Sequence, residues 1–472
     1  MKICIIAEGC FPYISGGVSS WVHKIIRNLK QHEFEILSIM PAYTDQLEYK
    51  YDIPSNVNSI KTIYLKDYKK KFDPRPRNFD PSLNKDEKES IEKFLKIDDE
   101  INWQLFSNTI SDPKKTGNPI QFIHSELFWN MMKNYYYQEF EDEGFTEFFW
   151  TFRAMFLFFM TLMQQEVQEA DIYHSVSTGY SGFLGLIQKF KRNKPFLVTE
   201  HGIYAREREE EIIQSSWVRG IYKKIWIKFF YFIARGAYQN AEKVISLYER
   251  NKQFQIQHGA DSKKTFVIPN GVDISKYKIK RKEHESFNIG AVLRIVPIKD
   301  VKTLLRAYKM VRDEIDNTRL YLIGPYDENT EYYNECLSLI SKLELANNII
   351  ITGKVKVIDY LDRLDTMVLT SISEGQPLVI LEAMAAKIPF VATDVGSCRE
   401  LLYGDGRDNF GRAGIVVEPV SPIQTAKAII DIYKDEKRRI KMGENGRKRI
   451  EKYYRIEFLI NEYDNIYKKI GS

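Results

Sequence analysis

Cysteine, histidine and long apolar runs are all scarce, and each shortage removes a class of function. The four cysteines, Cys4, Cys10, Cys336 and Cys398, are scattered with no paired spacing, which argues against a zinc site or a disulfide framework. Reduced thiols in the cytoplasm are the simplest account of them. Only seven histidines occur, so the position of each matters more than the count. The longest apolar run, Ala154 to Met163, falls short of the roughly 20 residues that cross a bilayer. No transmembrane span is therefore expected. The opening MKICIIAEG has a brief apolar stretch that stops at Glu8, without the apolar core and small-residue cleavage site of a secretory signal. It reads as a first buried strand.

Strong charge of either sign is lacking too. Lys and Arg number 69 against 64 Asp and Glu, a net of +5, too slight to imply nucleic acid. The basic excess is local. Lys61–Arg77 holds seven basic and two acidic residues, and Lys434–Lys469 holds twelve and seven.

What is present is ordinary globular composition, 44% hydrophobic and 28% charged, in 472 residues. That length exceeds what one hydrophobic core serves, so two or three packed units are expected. Short β-branched runs alternate with longer stretches of helical period, the signature of βα units and parallel sheets. The alternation occurs twice. KICIIA, EFEILSIM, SIKTIYL, DIYHSV, PFLVTE, KVISL and TFVIP make the first series, and FNIGAVL, RLYLIG, NIIITG, MVLTSIS, PFVATD and GIVVEP the second. Between them KYKIKRKEHES, after Asp273, is charged, poor in large apolar residues, and reads as a linker. Each series predicts its own doubly wound lobe. From about residue 66 to 169 the first series is interrupted by an aromatic, charged insertion with helical spacing.

Four places could carry chemistry. EGCFPYISGGVSSW leads from the first strand into a helix whose Val18, Trp21, Val22, Ile25, Ile26 and Leu29 share a face. Gly16 and Gly17 thus stand at a helix N-terminus, where unpaired amides and the helix dipole favour a phosphate; a plain tight turn would look the same. His201 closes the strand PFLVTE ahead of Gly202, on the edge where open α/β sheets bind ligands. In LRIVPIKD of the second series, Arg294 and Lys299 offer a guanidinium fork and an ammonium in one strand-to-helix loop, a combination suited to a diphosphate leaving group. Taken alone, that pair could equally be solvated loop charge.

The strongest constellation is SISEGQPLVILEAMAAKIPFVATDVGSCREL. Glu374 ends a strand, Gly375 follows, Pro377 suits a first helical turn, and Glu382 falls one to two turns inside the helix. Two carboxylates set apart in this way can each accept hydrogen bonds from vicinal sugar hydroxyls, while the amides after Gly375 face phosphates. Glu382 sits among Ile380, Leu381, Ala383 and Met384, which sets it apart from a solvated surface charge.

A last segment, WVRGIYKKIWIKFFYFIAR from Trp217 to Arg235, spaces Trp217, Ile221, Ile225 and Phe229 every four residues, with Arg219, Lys223, Lys224 and Lys228 around the opposite arc. Basic amphipathic helices either bury the aromatic face in their own domain or present it to a membrane interface or membrane-bound partner. The commoner outcome is a lobe helix that buries this face internally; the alternative is a face only partly buried, through which anionic vesicles recruit the protein.

Together these segments resemble glycosyltransferase family 4 over almost the whole chain. Glu374 and Glu382, with seven residues between them, match that family's hallmark, and Arg294 with Lys299, IPNGVD from Ile268 to Asp273, and the Gly16–Gly17 loop support the likeness independently. A closer likeness is to PelF-type enzymes of Pel exopolysaccharide assembly, through EGCFPYISGGVSSWVH, TEHGIYARERE, SLYERN with QHGAD, and SISEGQPLVILEAMA with TDVGSCREL. The chain departs from that pattern at Lys387, where a glycine usually stands.

The resemblance implies a GT-B fold, α/β, with two Rossmann-like doubly wound domains facing a central cleft and a helical insertion in the first. The expected domains are an acceptor-side domain over 1–280, a nucleotide-sugar domain over 285–454, and a helix over 455–472 crossing back to the first. It further implies a retaining, metal-independent transfer of glucose from UDP-glucose to a growing exopolysaccharide, with no added cofactor. The enzyme would be cytoplasmic, working beside a membrane-bound synthase or export partner and without nucleic acid. Carried over by position, Gly16 and Gly17 belong to the diphosphate loop, Gly17 contacting the diphosphate through its amide, and Arg294 and Lys299 neutralise it. Glu374 binds sugar hydroxyls, Gly375, Gln376, Pro377 and Leu378 form the phosphate-side loop, and Glu382 binds ribose. His201 lies near the transferred sugar, while Lys354 and Val355 meet the base. Two other readings stay open on the residues alone, a sugar-nucleotide epimerase or hydrolase and a non-catalytic nucleotide-binding scaffold. An enzyme of the first kind needs an acid/base pair on the sugar ring, and the ordered Glu374, Glu382, Arg294 and Lys299 favour transfer.

Overall fold

The structure is a computed structural model and describes residues 1–43, 47–67, 79–216, 218, 220–282 and 284–471. Most of the basic stretch Lys61–Arg77, and Trp217 and Arg219 of the aromatic segment, lie outside the described residues. The chain forms two compact units, one of Met1–Val267 with Tyr463–Ser472 and the other of Ile268–Glu462. The junction at Val267 precedes the charged linker segment, whose first residues, Lys276 and Tyr277, end a short 3-10 turn over Ile274–Tyr277.

Every expected strand is present. The first unit holds β1 (Lys2–Glu8), β2 (Glu33–Met40), β3 (Val57–Tyr64), β4 (Ile172–Ser175), β5 (Phe196–Glu200), β6 (Lys243–Ser246) and β7 (Thr265–Val267). They pair in parallel in the order β3-β2-β1-β4-β5-β6-β7. The second unit holds β8 (Phe287–Val292), β9 (Thr318–Ile323), β10 (Ile349–Gly353), β11 (Thr366–Leu369), β12 (Phe390–Thr393) and β13 (Gly414–Val417). Their order is β10-β9-β8-β11-β12-β13, again all parallel. Helices cover both faces of such sheets, so the strands are near-continuous apolar runs; β4, β5, β11 and β12 are buried at every residue. In each unit the chain works outward from one strand and then reverses, between β1 and β4 and between β8 and β11. Such reversals leave a crevice at the carboxyl ends of the strands, the usual place for a ligand.

β11 is shorter than MVLTSIS promises and stops at Leu369. Thr370 instead turns its hydroxyl to the carbonyls of Lys299 and Asp300, both at 3.1 Å. That hydrogen bonding ends the strand and ties the loop after β11 to the loop after β8.

The insertion is helical among the described residues, with helices over Lys85–Leu95, Trp103–Ile110, Pro113–Thr116, Pro119–Ile123, Glu126–Glu139 and Phe145–Met163. Phe94 centres its packing, stacked on Phe106 at 4.4 Å and meeting Phe183 and Phe229 of the helices that flank the sheet. One expectation needs correction here. The helix Phe145–Met163 is long and apolar enough by length and composition to cross a membrane, because its aromatic first half extends the apolar run. Half of it is buried inside the unit, including Phe148, Phe152, Phe156 and Phe159.

The aromatic helix follows the buried alternative. It runs from Ile221 to Asn240, and its Ile225, Trp226, Phe229 and Phe230 are buried against the domain's own core, while Lys224 and Lys228 face solvent. The insertion and the helix Tyr204–Gln214 cover Ile225, Trp226, Phe229 and Phe230, while Ile221, at the start of the helix, is exposed.

Candidate functional site

In the second unit, the loops leaving β8 and β11 meet at the strand reversal. After β8 the chain passes Arg294 and a 3-10 turn over Pro297–Lys299, then Asp300, whose φ of 44° and ψ of 52° swing the backbone into the helix Val301–Glu314. The amide of Ile372 donates to the carbonyl of Ile298 at 2.9 Å, a second staple between the loops. So held, Lys299 Nζ lies 2.5 Å from Glu374 Oε1, which also accepts the Ser371 hydroxyl at 2.6 Å. The lysine is 18% exposed and the glutamate 12%, enough burial for the two charges to act strongly on each other and for the ammonium to attract an anion beside it.

Arg294 is not drawn into this pair. Its guanidinium turns to Glu328, 2.7 Å away and at the exposed rim of the same edge. Lys354 and Val355 follow β10, the edge strand, and both are exposed.

Beyond Glu374 the chain makes a tight turn. Gly375 accepts a hydrogen bond from the Ser397 amide at 3.0 Å, and Gly396, at φ +53°, lies so close that a Cβ there would stand 2.2 Å from the Glu374 carbonyl. Only glycine fits that approach. Gln376 is buried and accepts from the Asn270 amide at 2.6 Å, tying the IPNGVD segment to this turn. The helix over Leu378–Ala385 begins one residue later than expected, so Pro377 stands just ahead of its first turn rather than in it. No side chain caps this helix, so its first amides and dipole point at the loop as an anion-binding end. Glu382, half-buried one turn along, takes a hydrogen bond from the Tyr277 hydroxyl, and burial together with this carboxylate pushes that phenol's pKa upward.

In the first unit, Gly16 and Gly17 lead into the helix Gly17–Asn28 and are exposed, with open space where a side chain would stand. Gly16 keeps an extended backbone and exchanges long hydrogen bonds with the Tyr51 hydroxyl, at 3.3 and 3.4 Å. Trp21, one turn on, packs edge-on against His201 at 4.9 Å. His201 ends up half-buried beyond β5, its Nε2 without a hydrogen-bond partner among the described residues. Burial pushes its imidazole down to about 4, so it is neutral near pH 7. Beneath it, fully buried His174 bonds Tyr467 at 2.7 Å and Thr199 at 2.8 Å, and burial plus His201 push it down to about 3.

Two carboxylates here escaped the sequence reading. Glu8, at the end of β1, accepts from the Tyr204 hydroxyl at 2.7 Å and the Ser181 amide at 3.2 Å, with Arg208 at 3.8 Å. Glu200, at the end of β5, is fully buried and accepts from Thr178, Tyr238, Gln255 and the Tyr204 amide. Burial raises both carboxyls above their ordinary range. Each closes an apolar strand in the sequence, a signal that was available. Among the described residues no group of three or more His, Cys, Asp and Glu has metal-binding geometry.

Comparison with known proteins places these features. Residues 1–263 match the family model described as Domain of unknown function (DUF3492), and residues 273–449 match Glycosyl transferases group 1. The chain is similar to an uncharacterized glycosyltransferase of Methanocaldococcus jannaschii, 28% identical over 227 residues that are 44% of this chain and 54% of that protein. It thus spans about half the length of that relative. It is also similar to the capsular polysaccharide biosynthesis glycosyltransferase CapM of Staphylococcus aureus, 26% identical over 310 residues, 60% of this chain and 79% of CapM. Among solved structures, HepE of Anabaena in complex with UDP aligns over 99% of this chain and 100% of its own, with a TM-score of 0.63 and 14% identity. Sucrose-phosphate synthase of Thermosynechococcus elongatus aligns over 99% and 98%, with a TM-score of 0.61 and 15% identity. At such identity the likeness is one of fold, the GT-B class of two Rossmann-like domains.

Proposed function

Because the chain belongs to the family described as Domain of unknown function (DUF3492) and carries a Glycosyl transferases group 1 domain, we propose that it is a retaining glycosyltransferase using a UDP-sugar donor. The observation that carries this reading is the Lys299–Glu374 pair at 2.5 Å, set at the strand reversal beside an uncapped helix N-terminus. A diphosphate seated there gains an ammonium and a row of backbone amides. The charge that develops on a leaving nucleotide is thereby stabilised in place. That a solved relative in fold, HepE, is held in complex with UDP and with UDP-glucose supports the choice of nucleotide.

In this reading residues 1–280 serve the acceptor and 285–454 the donor, with 455–472 returning to the first domain. Glu374 binds the donor sugar, Glu382 the ribose, and Gly375 to Leu378 the phosphates, while Lys354 and Val355 border the base. Gly16, Gly17 and His201 serve the transferred sugar and diphosphate from the first domain, and Arg294 adds a second cation at the rim. The bond from the anomeric carbon to the β-phosphate oxygen breaks as the acceptor oxygen attacks on the same face. The acceptor's proton passes to the departing phosphate, so no protein nucleophile is required. Glucose and a Pel-like exopolysaccharide, made in the cytoplasm beside a membrane-bound export partner, follow from the PelF-type likeness and belong to the same proposal.

Incubating purified protein with UDP-glucose and measuring released UDP tests the reading. Release that rises with an added glucan acceptor and persists in EDTA is the expected result. Strict dependence on added magnesium would overturn the metal-free scheme, and UDP-glucose turned into another UDP-sugar would replace transfer by epimerisation.

A further inference from the structure

Trp226 and Phe230 wall a cavity of about 500 Å³ that opens beside the carboxyl ends of β1 and β2. Met40 ends β2, Leu65 follows β3, Phe158 comes from the insertion, and Ile212 closes another side. The charged side chains of the lining are Glu8, Arg208 and Glu211, with Arg208 facing both carboxylates, and Lys66 beside Leu65. The volume is in the usual range of small-ligand sites, about 300–1,000 Å³. Its position is where a doubly wound sheet places ligands.

The lining decides what kind of guest fits. A chain of sugar residues carries hydroxyls on every side, and against Met40, Leu65, Ile212 and Phe158 those hydroxyls would lose water and gain no partner. Hydrocarbon loses nothing there and is removed from water. Glu8 is fixed by Tyr204 and the Ser181 amide, so one carboxylate edge and the Arg208 guanidinium can orient a single polar head.

We propose that this cavity takes the hydrocarbon chain of an amphiphilic acceptor, whose hydroxyl-bearing head lies at the Glu8 and Arg208 end. Calling the guest an acceptor rests on the glycosyltransferase reading; its apolar chemistry rests on the cavity alone. The growing glucan of the proposed function would then be extended most readily when it is carried on a lipid-like alcohol, and the aromatic residues of the insertion would serve substrate choice as well as packing.

Calorimetric titration of the full chain with n-decyl β-glucoside, below its micelle concentration, tests the inference against cellobiose, with UDP titrated separately. The decyl glucoside is expected to bind at least tenfold more tightly than cellobiose. Ala154→Trp, which fills the cavity, and Leu65→Gln, which makes its wall polar, should each weaken it tenfold or more and leave UDP affinity within twofold. If Ala154→Trp fails to fold, Leu65→Gln carries the comparison. Equal affinity for the two glycosides, or decyl glucoside binding that survives the folded variants, overturns the inference. UDP binding without decyl glucoside binding defeats this inference and spares the donor reading; the reverse result defeats the donor reading and leaves the hydrocarbon site standing.

Discussion

The Lys299 ammonium and the Glu374 carboxylate meet at 2.5 Å across the reversal between β8 and β11, each with under a fifth of its side chain exposed. Removing either partner strands the other in a partly buried place, so Lys299→Ala and Glu374→Ala should each cost about 1–3 kcal/mol of stability. The double variant should cost less than the sum, and urea unfolding of the cycle measures the difference. Strict additivity would mean that the two charges do not interact in solution. On the proposed role, both single variants also lose about 100-fold or more in turnover.

Glu382 lies one turn inside the helix that follows Glu374 and accepts from the Tyr277 hydroxyl. Glu382→Ala is expected to weaken UDP binding about tenfold, the order of one charged hydrogen bond lost, while turnover at saturating donor changes little. Titration of UDP alongside saturation kinetics separates the two effects. A collapse in turnover with unchanged UDP affinity would move Glu382 to the transferred sugar.

Acid should destabilise the first unit through its two buried imidazoles. In the unfolded chain each takes a proton near 6.5. In the fold His201 stays neutral to about 4 and His174 to about 3, so the unfolded state binds more protons between those limits and 6.5. Stability therefore falls as pH drops from about 6.5 toward 3, with His174 alone carrying on the order of 4 kcal/mol. Glu8 and Glu200, whose carboxyls are raised, act with the opposite sign over the range just above their ordinary values. Comparing His174→Gln with the parent isolates the imidazole. The variant's melting temperature should depend less on pH between 6.5 and 4, and an unchanged slope would acquit His174.

Lys387 occupies a left-handed backbone, φ +59°, that a side chain takes at some cost. Lys387→Gly should raise stability by about 0.5–1 kcal/mol, since the substitution removes that strain but adds freedom to the unfolded chain. Thermal denaturation reads the change. A loss instead would mean that the lysine side chain makes a compensating contact.

All thirteen strands were legible in the sequence because parallel strands buried on both faces are written as uninterrupted β-branched runs. The loops that follow β8 and β11 were legible too, since Gly, Pro and paired charges mark them. What those charges do was not. Lys299 and Glu374 are 75 residues apart in the chain, and only the staples from Thr370 and Ile372 bring them together. Arg294 looked equivalent to Lys299 until Glu328, in another loop, claimed it. The apolar cavity was hidden for the same reason, as its walls come from seven separate segments. Helical period revealed that Trp226 and Phe229 share a helix with a basic arc, but it could not say whether other residues cover the aromatic face. That depends on the insertion.

The first unit is closed by residues from Tyr463 onward, which give Tyr467 to His174, Tyr463 to Thr199 and Asp464 to His32. A chain leaving the ribosome makes β1 to β7 first, yet the pocket for His174 lacks its last wall until about 200 further residues have emerged. The second unit, continuous from Ile268 to Glu462, has all its strands in hand before that moment. Maturation thus runs against the order of synthesis, with the amino-terminal sheet sealed last, and a messenger cut short near its end would yield a finished second unit joined to a first that is still open.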